Sequence, residues 1–183
     1  MKYIFFMIVI NLGLCCSVMP VNAVQSLYLS AYYDTHINQI HKDFLDVLPH
    51  THAIIYTRVP RGLILSVAEE EIFNPSSYLI KKSGTQILNP IISVLQKYKN
   101  NCVVESHTDE NISANNLYSE DWEISIARAN AIADYLVKVG QIPSDRIFPL
   151  GFGEMMPLKE NVSKQGFRDR RIDFVIFDYH VTR

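Results

Sequence analysis

Little cysteine, no excess of positive charge and no serine-nucleophile motif mark this sequence, and each shortage excludes a class of protein. Two of the three cysteines, Cys15 and Cys16, lie near the amino terminus, so Cys102 has no partner for a disulfide in the rest of the chain. The formal net charge of −2 argues against a polybasic surface for nucleic acid or anionic lipid. A GxSxG elbow is missing, and we therefore expect no serine hydrolase.

Residues 1–23 are typical of a secretory signal peptide. Lys2 precedes an apolar run that ends at Leu14, which is too short for a comfortable membrane span. Val21 and Ala23 place small residues at the positions that signal peptidase recognises. This pattern predicts cleavage after Ala23.

Cys15 and Cys16 leave a second route of export open. The stretch LGLCC faintly resembles a lipidation site, although Leu14 is larger than the residue usually found there. An uncleaved anchor is the third alternative. Cleavage and lipidation would both export the protein, so we expect it in the periplasm, associated with the outer membrane or the cell wall.

Residues 24–57 are predicted to form an N-terminal extension with one helix and one short strand. The stretch HINQIHKDFLDVL spaces its apolar residues along one helical face, and Pro49 then ends the helix. The stretch THAIIYTRV is typical of a short strand, which the turn residues Pro60 and Gly62 end.

Residues 58–180 carry the alternating helix and strand signals of one α+β domain. A helical pattern runs from Leu79 to Leu95, and Pro90 within it predicts a kink or a restart near Asn89. A second helix, EISIARANAIADYLVKVG, should end at its final glycine. Strand patterns occur in LILSVA, CVVES, DRIFPLGFGE and DRRIDFVIFDY. The predicted order is strand, helix, strand, helix, strand, strand.

The stretch ESHTDEN places polar side chains where a buried strand should emerge into solvent. His107 and Asp109 in this stretch could in principle gather a metal ion with His50 and His52. The two pairs lie in unconnected segments and no third metal-binding motif accompanies them. We therefore expect neither a metal site nor a cofactor, and we look for another role for the stretch.

Four motifs in order resemble the OmpA-like peptidoglycan-binding domain. They are HTD, ISIARA, LGFGE and DRRID, and the resemblance covers residues 58–178. Domains of this type occur at the carboxyl terminus of OmpA, in peptidoglycan-associated lipoprotein and in MotB. The resemblance implies an α+β sandwich of βαβαββ order, with the helices packed on one face of a mixed sheet. A small OmpA-like subunit of a Dot/Icm type IV secretion system is a more specific alternative within this family.

The resemblance also implies a function without catalysis. Such domains hold diaminopimelate, whose free end carries an ammonium and a carboxylate, in the peptidoglycan stem peptide. On the matching positions, Asp109 would accept the ammonium and Arg128 would clamp the carboxylate. Arg170 would support the site, and Thr108 and Asp121 complete the set of ligand-binding residues. Peptidoglycan is thus the expected partner, together with other envelope or type IV secretion proteins, and an envelope component would be fixed to the cell wall.

Two further alternatives concern the arginines of the predicted site. Arg128 could instead form a structural ion pair with Asp109 or Asp169. Arg170 and Arg171 are adjacent on a strand, so their side chains should point to opposite faces of the sheet, and we favour Arg170 on the side of the site.

Three departures from the family pattern leave a second function open. Ser106 stands where the family usually has glycine, and Asp121 stands where asparagine is common. Asp109 and Arg128 are 19 positions apart, which is longer than the family's usual interval and implies an inserted loop. The alternative is therefore a structural subunit of an envelope-spanning secretion apparatus, whose OmpA-like pocket has degenerated and no longer binds a ligand.

Overall fold

A computed structural model of the chain describes residues 36–109, 121–158 and 169–178. The described residues belong to one compact unit that starts at His36. The predicted signal peptide, the lipidation site at Cys15 or Cys16 and most of the predicted inserted loop lie outside them. Within the described ranges, no helix has both the length and the apolar character that crossing a bilayer requires.

A mixed sheet of five strands forms the centre of the fold. The strands are β1 (Ile54–Val59), β2 (Gly62–Ala68), β3 (Cys102–His107), β4 (Ile147–Gly153) and β5 (Arg171–Phe177). Their spatial order is β1-β2-β5-β3-β4. β3 and β4 are parallel, whereas the other neighbouring strands pair antiparallel.

In the described parts of the chain, four α-helices and one short 3₁₀ helix connect or precede these strands. They are α1 (residues 36–47), α2 (Glu69–Ile72), α3 (Lys82–Lys97), α4 (Asp121–Lys138) and the 3₁₀ turn Ser144–Arg146. From β2 onward the order is strand, helices, strand, helix, strand, strand. The predicted α+β class, with helices against a mixed sheet, is confirmed.

The hydrophobic core lies between the helices and one face of the sheet. Alternate residues of β5, namely Ile172, Phe174 and Ile176, belong to this apolar cluster and are each at most 1% exposed, although Asp173 and Val175 between them are buried too. This confirms the alternation predicted for the last strand. Apolar residues from α1, α3 and α4 complete the same cluster, namely Ile37, Ile40, Phe44, Ile87, Leu88, Ile91, Ile92, Leu95, Ile132, Ala133 and Leu136.

The segment predicted as an N-terminal extension contributes to this core and to the sheet. α1 ends before Pro49, as predicted, and its side chains join the cluster described above. β1 pairs along its whole length with β2. The hairpin between them turns at Gly62, where φ is +144° and an added Cβ would lie 2.0 Å from the carbonyl oxygen of Ile176. Only glycine fits this turn without strain.

Of the two alternatives predicted for the helix that contains Pro90, a kink or a restart, the structure contradicts the restart. α3 begins at Lys82 and continues through Pro90 to Lys97, so the helix does not restart at Asn89. Leu79 precedes the helix and is 67% exposed instead of belonging to its buried face. An interior proline costs about 3 kcal/mol in an isolated helix. Here buried residues on both sides of Pro90 hold one continuous apolar face against the core, which offsets that cost.

Candidate functional site

The pairing of the strands brings the last residues of β2 and β3 and the first residue of β5 to the same end of the sheet. β5 runs antiparallel to both β2 and β3, so its first residue lies opposite the last residue of each: Arg171 pairs with Ala68 and with His107. The residues just beyond these ends are Glu69, Asp109 and Arg170. The topology therefore brings three charged side chains to the same end of the sheet.

The exposed part of this cluster is an ion pair between Arg170 and Asp109. Arg170 Nε lies 3.7 Å from Asp109 Oδ2, and the two side chains are 29% and 30% exposed. The backbone of Arg170 is fixed because its carbonyl accepts a hydrogen bond of 3.2 Å from the backbone N–H of Glu69. Partly hydrated pairs of this kind contribute only about 0–1 kcal/mol to stability. Both charged groups can therefore be reached by a solute.

The backbone around Asp109 is held by β4. Thr108 donates its backbone N–H to the carbonyl of Gly153 at 2.9 Å. The Thr108 side chain is buried, and its hydroxyl lacks a hydrogen-bond partner among the described residues. Thr108 thus positions Asp109 through the main chain.

The buried part of the cluster is Arg128 with Glu69. Arg128 is 0% exposed and is the largest fully buried side chain among the described residues. Its Nη1 lies 2.8 Å from Glu69 Oε2, and its Nε donates to the carbonyl oxygen of Ser77 at 2.8 Å. The guanidinium also lies 5.3 Å from the centre of the Phe73 ring. Arg128 therefore connects α4 to α2 and to the segment that follows α2.

The ionisation of Glu69 reflects this position. Burial raises the pKa of its carboxyl above the ordinary value, while the positive charges of Arg128 and Arg170 act in the opposite direction. The negative charges of Asp109 and Glu70 add to the effect of burial. Glu69 consequently takes up a proton more readily than an exposed glutamate would.

The structure brings together three of the residues predicted for the site. Asp109, Arg128 and Arg170 surround Glu69, whereas Thr108 is buried behind Asp109. Asp121 is the first residue of α4, the helix that carries Arg128. Glu69 itself was missed at the sequence level. The only signal for it is its position, the first of three consecutive glutamates directly after a buried strand.

The two adjacent arginines before and at the start of β5 have different surroundings. Arg170 lies beside Asp109, as described above. Arg171 is buried, and its Nε donates to Asp173 Oδ2 at 3.0 Å. Arg128 forms an ion pair with Glu69 at 2.8 Å, so a carboxylate outside the predicted set takes part in its environment.

A second charged cluster lies on β3 and β5, beneath the end of β3. His107 Nε2 is 3.3 Å from Asp173 Oδ2 and 3.8 Å from Glu105 Oε2, and all three side chains are buried. The imidazole stacks on Phe152 with ring centres 5.2 Å apart. These are residue types that bind metals, and their ligand atoms lie within 4.8 Å of one another.

Two arginines lie next to the carboxylates of this cluster. Arg171 contacts Asp173 at 3.0 Å, and Arg61 lies 3.6 Å from Glu105. Their charges already balance those of the two carboxylates, so a cation is not needed for neutrality. Burial lowers the pKa of His107, but the carboxylates of Asp173 and Glu105 outweigh it and the pKa lies above the ordinary value. We describe the cluster as a buried ion-pair network.

Comparison with known proteins agrees with this architecture. Among curated proteins, the uncharacterized protein YtxE of Bacillus subtilis (strain 168) is 30% identical over 120 residues. The alignment spans 65% of this chain but only 50% of YtxE, so the chain corresponds to about half of that relative.

Solved structures show the same fold. A MotB-like protein from Desulfovibrio vulgaris superposes with a TM-score of 0.73 at 22% identity, over 85% of this chain and 98% of the other. The cell wall anchor of the type VI secretion system from Pseudomonas aeruginosa gives a TM-score of 0.64 at 21% identity, over 77% and 96% of the two chains. The OmpA family model matches residues 72–171, which is more than half of the sequence. The chain belongs to the OmpA family.

Proposed function

We propose that this protein binds peptidoglycan without catalysing a reaction, and that it fixes a component of the cell envelope to the wall from the periplasm. Membership of the OmpA family supports this proposal, and so does the fold shared with a structure described as a cell wall anchor. The observation that carries it is the partly exposed ion pair of Asp109 and Arg170, which lies just beyond the end of β3. An acid and a guanidinium side by side match a zwitterionic ligand.

The proposed ligand is the free end of diaminopimelate in the stem peptide. Asp109 would accept its ammonium group, and a guanidinium would bind its carboxylate through two parallel hydrogen bonds, which lysine cannot reproduce. Arg170 is the partly exposed guanidinium, and Arg128, which is buried against Glu69, would be the second clamp. Thr108 would hold Asp109 in place through Gly153. Asp121 stays in the proposed set because it begins the helix that carries Arg128.

A second function is favoured by one observation, the burial of Arg128 against Glu69. If this pair never opens, the pocket holds only one available arginine and its affinity for a carboxylate would be low. The protein would then be a structural subunit of an envelope-spanning secretion apparatus. This alternative keeps the fold and the location in the envelope but predicts no retention on peptidoglycan.

Calorimetric titration with a diaminopimelate-containing stem peptide tests the proposal. Asp109→Asn and Arg170→Lys should each weaken binding roughly ten- to a hundredfold, because a hydrogen bond to a charged group contributes about 1.5–3 kcal/mol. Asp134→Asn is the matched control, since this exposed carboxylate pairs with Lys138 on α4. Equal binding by all four proteins would place the site elsewhere. Failure of the folded wild type to bind would favour the structural subunit.

A further inference from the structure

The buried end of the charged cluster contains a carboxylate in the place that a ligand's carboxylate would take. Glu69 Oε2 lies 2.8 Å from Arg128 Nη1, and the two side chains are 7% and 0% exposed. Arg128 Nε is engaged by the carbonyl of Ser77 at 2.8 Å. In this arrangement an external carboxylate cannot reach the guanidinium of Arg128 unless Glu69 gives up its contact.

We propose that Glu69 is an internal competitor that occupies Arg128 and is displaced when a carboxylate ligand binds. The inference rests on the proposed function, because it assigns Arg128 to the same ligand as Asp109 and Arg170. Glu69 then determines affinity: the ligand gains a buried, charge-assisted contact only after an equivalent internal contact has been lost. The exchange favours ligands that also bring an ammonium group for Asp109 over simple carboxylates, which compete with Glu69 on Arg128 alone.

The displaced side chain has an alternative partner close by. Glu69 begins α2, a helix of only four residues that directly follows β2. Arg170 contributes to the electrostatic environment of Glu69, and its backbone carbonyl already accepts the Glu69 N–H. A rotation of the Glu69 side chain away from Arg128 would therefore keep its charge close to Arg170, which Glu69 and the ligand carboxylate would then share.

The exchange should depend on pH. The charged groups that act on Glu69 are Arg128 from α4, Arg170 before β5, Asp109 after β3 and Glu70 from its own helix. A proton on Glu69 removes the competing charge, whereas the ligand carboxylate stays ionised. Because burial raises the pKa of Glu69, its carboxyl takes up a proton at a higher pH than the carboxyl of an exposed glutamate. Binding should accordingly become tighter as the pH falls below neutral.

The test uses calorimetric titration of the mature chain with a diaminopimelate-containing stem peptide and with the same peptide carrying lysine, which lacks the second carboxylate. Glu69→Gln should bind the diaminopimelate peptide about tenfold more tightly than wild type at neutral pH, because the amide keeps the shape but not the charge. Glu71→Gln on the same helix is the matched control and should bind like wild type. The lysine peptide should bind both variants and wild type equally.

The pH profile of the wild type gives a second readout that needs no substitution. Wild-type affinity for the diaminopimelate peptide should rise as the pH falls, and Glu69→Gln should lose most of that rise. Unchanged or weaker binding by folded Glu69→Gln overturns the competition, even if the peptide binds at the site. A wild-type affinity that does not rise with falling pH overturns it as well. If both folded proteins fail to bind at every pH, the proposed function is wrong and this inference is wrong with it.

Discussion

Replacing Arg128 by methionine should destabilise the fold by about 3–5 kcal/mol, the usual cost of removing one partner from a buried ion pair. The carboxylate of Glu69, only 7% exposed, would be left without the guanidinium 2.8 Å away. The carbonyl of Ser77 would also lose its donor. Glu69 can relieve part of the penalty by taking up a proton, because its pKa is already raised by burial. We therefore expect the lower half of this range at acidic pH and the upper half above neutral pH.

Urea unfolding followed by circular dichroism measures this effect. Lys138→Met is the control, because it breaks an ion pair in which the side chains are 72% and 66% exposed. Such exposed pairs contribute about 0–1 kcal/mol. The double variant Arg128→Met with Glu69→Gln should be more stable than Arg128→Met alone, since the unpaired buried charge is then gone. If Arg128→Met were no less stable than Lys138→Met, the buried pair would not be holding α4 to α2.

Three other predictions concern the buried network, the free thiol and the mature terminus. The raised pKa of His107 gives stability that is complete below the ordinary value of 6.5 and is lost as the pH rises through the higher folded value. The urea midpoint should therefore fall as the pH rises above 6.5 in wild type and in the exposed control His50→Gln. His107→Gln should lose this pH dependence, and a His107→Gln protein that keeps it would contradict the assignment. Burial raises the pKa of the Cys102 thiol to about 12. A disulfide reagent should therefore label this thiol only in urea, and labelling of the native mature chain would contradict the burial. Mass spectrometry of the exported protein should show Val24 as its first residue, and an acylated Cys15 or Cys16 would contradict the predicted cleavage.

The fold was predictable because local patterns and global packing agree in most elements. The alternation of Ile172, Phe174 and Ile176 identifies the central strand β5, and the helical spacing that begins at Ile37 identifies α1. Pro90 is the exception. A local rule predicts an interruption there, but the apolar face formed by Ile87, Leu88, Ile91 and Ile92 outweighs it, and this tertiary contribution cannot be read from the proline alone.

Only those residues of the candidate site that lie within the motifs could be predicted from the sequence. The order of HTD, ISIARA and DRRID indicates that Asp109, Arg128 and Arg170 belong together, and the strand pairing explains why two of them meet. The motifs do not reveal that Glu69 forms an ion pair with Arg128. That depends on the register in which Ala68 and His107 both lie opposite Arg171, because this register places the residue after β2 beside the residues after β3. Three consecutive glutamates look like solvated surface in the sequence, yet the first of them is buried against the arginine of the site.

The Glu69–Arg128 pair bears on whether the candidate pocket is intact or degenerate. A pocket whose second arginine is already neutralised internally is neither fully intact nor degenerate. If the competition proposed above is right, stability and affinity depend on the same contact. The Glu69–Arg128 pair would stabilise the chain without ligand and would have to open for a carboxylate to bind. A substitution at Glu69 should consequently move the two properties in opposite directions, with lower stability and higher affinity. A substitution at Asp109, whose side chain is 30% exposed, should lower affinity with less effect on stability. Measuring both quantities on both variants separates a working wall-binding site from a purely structural ion pair, because a structural pair would change stability alone.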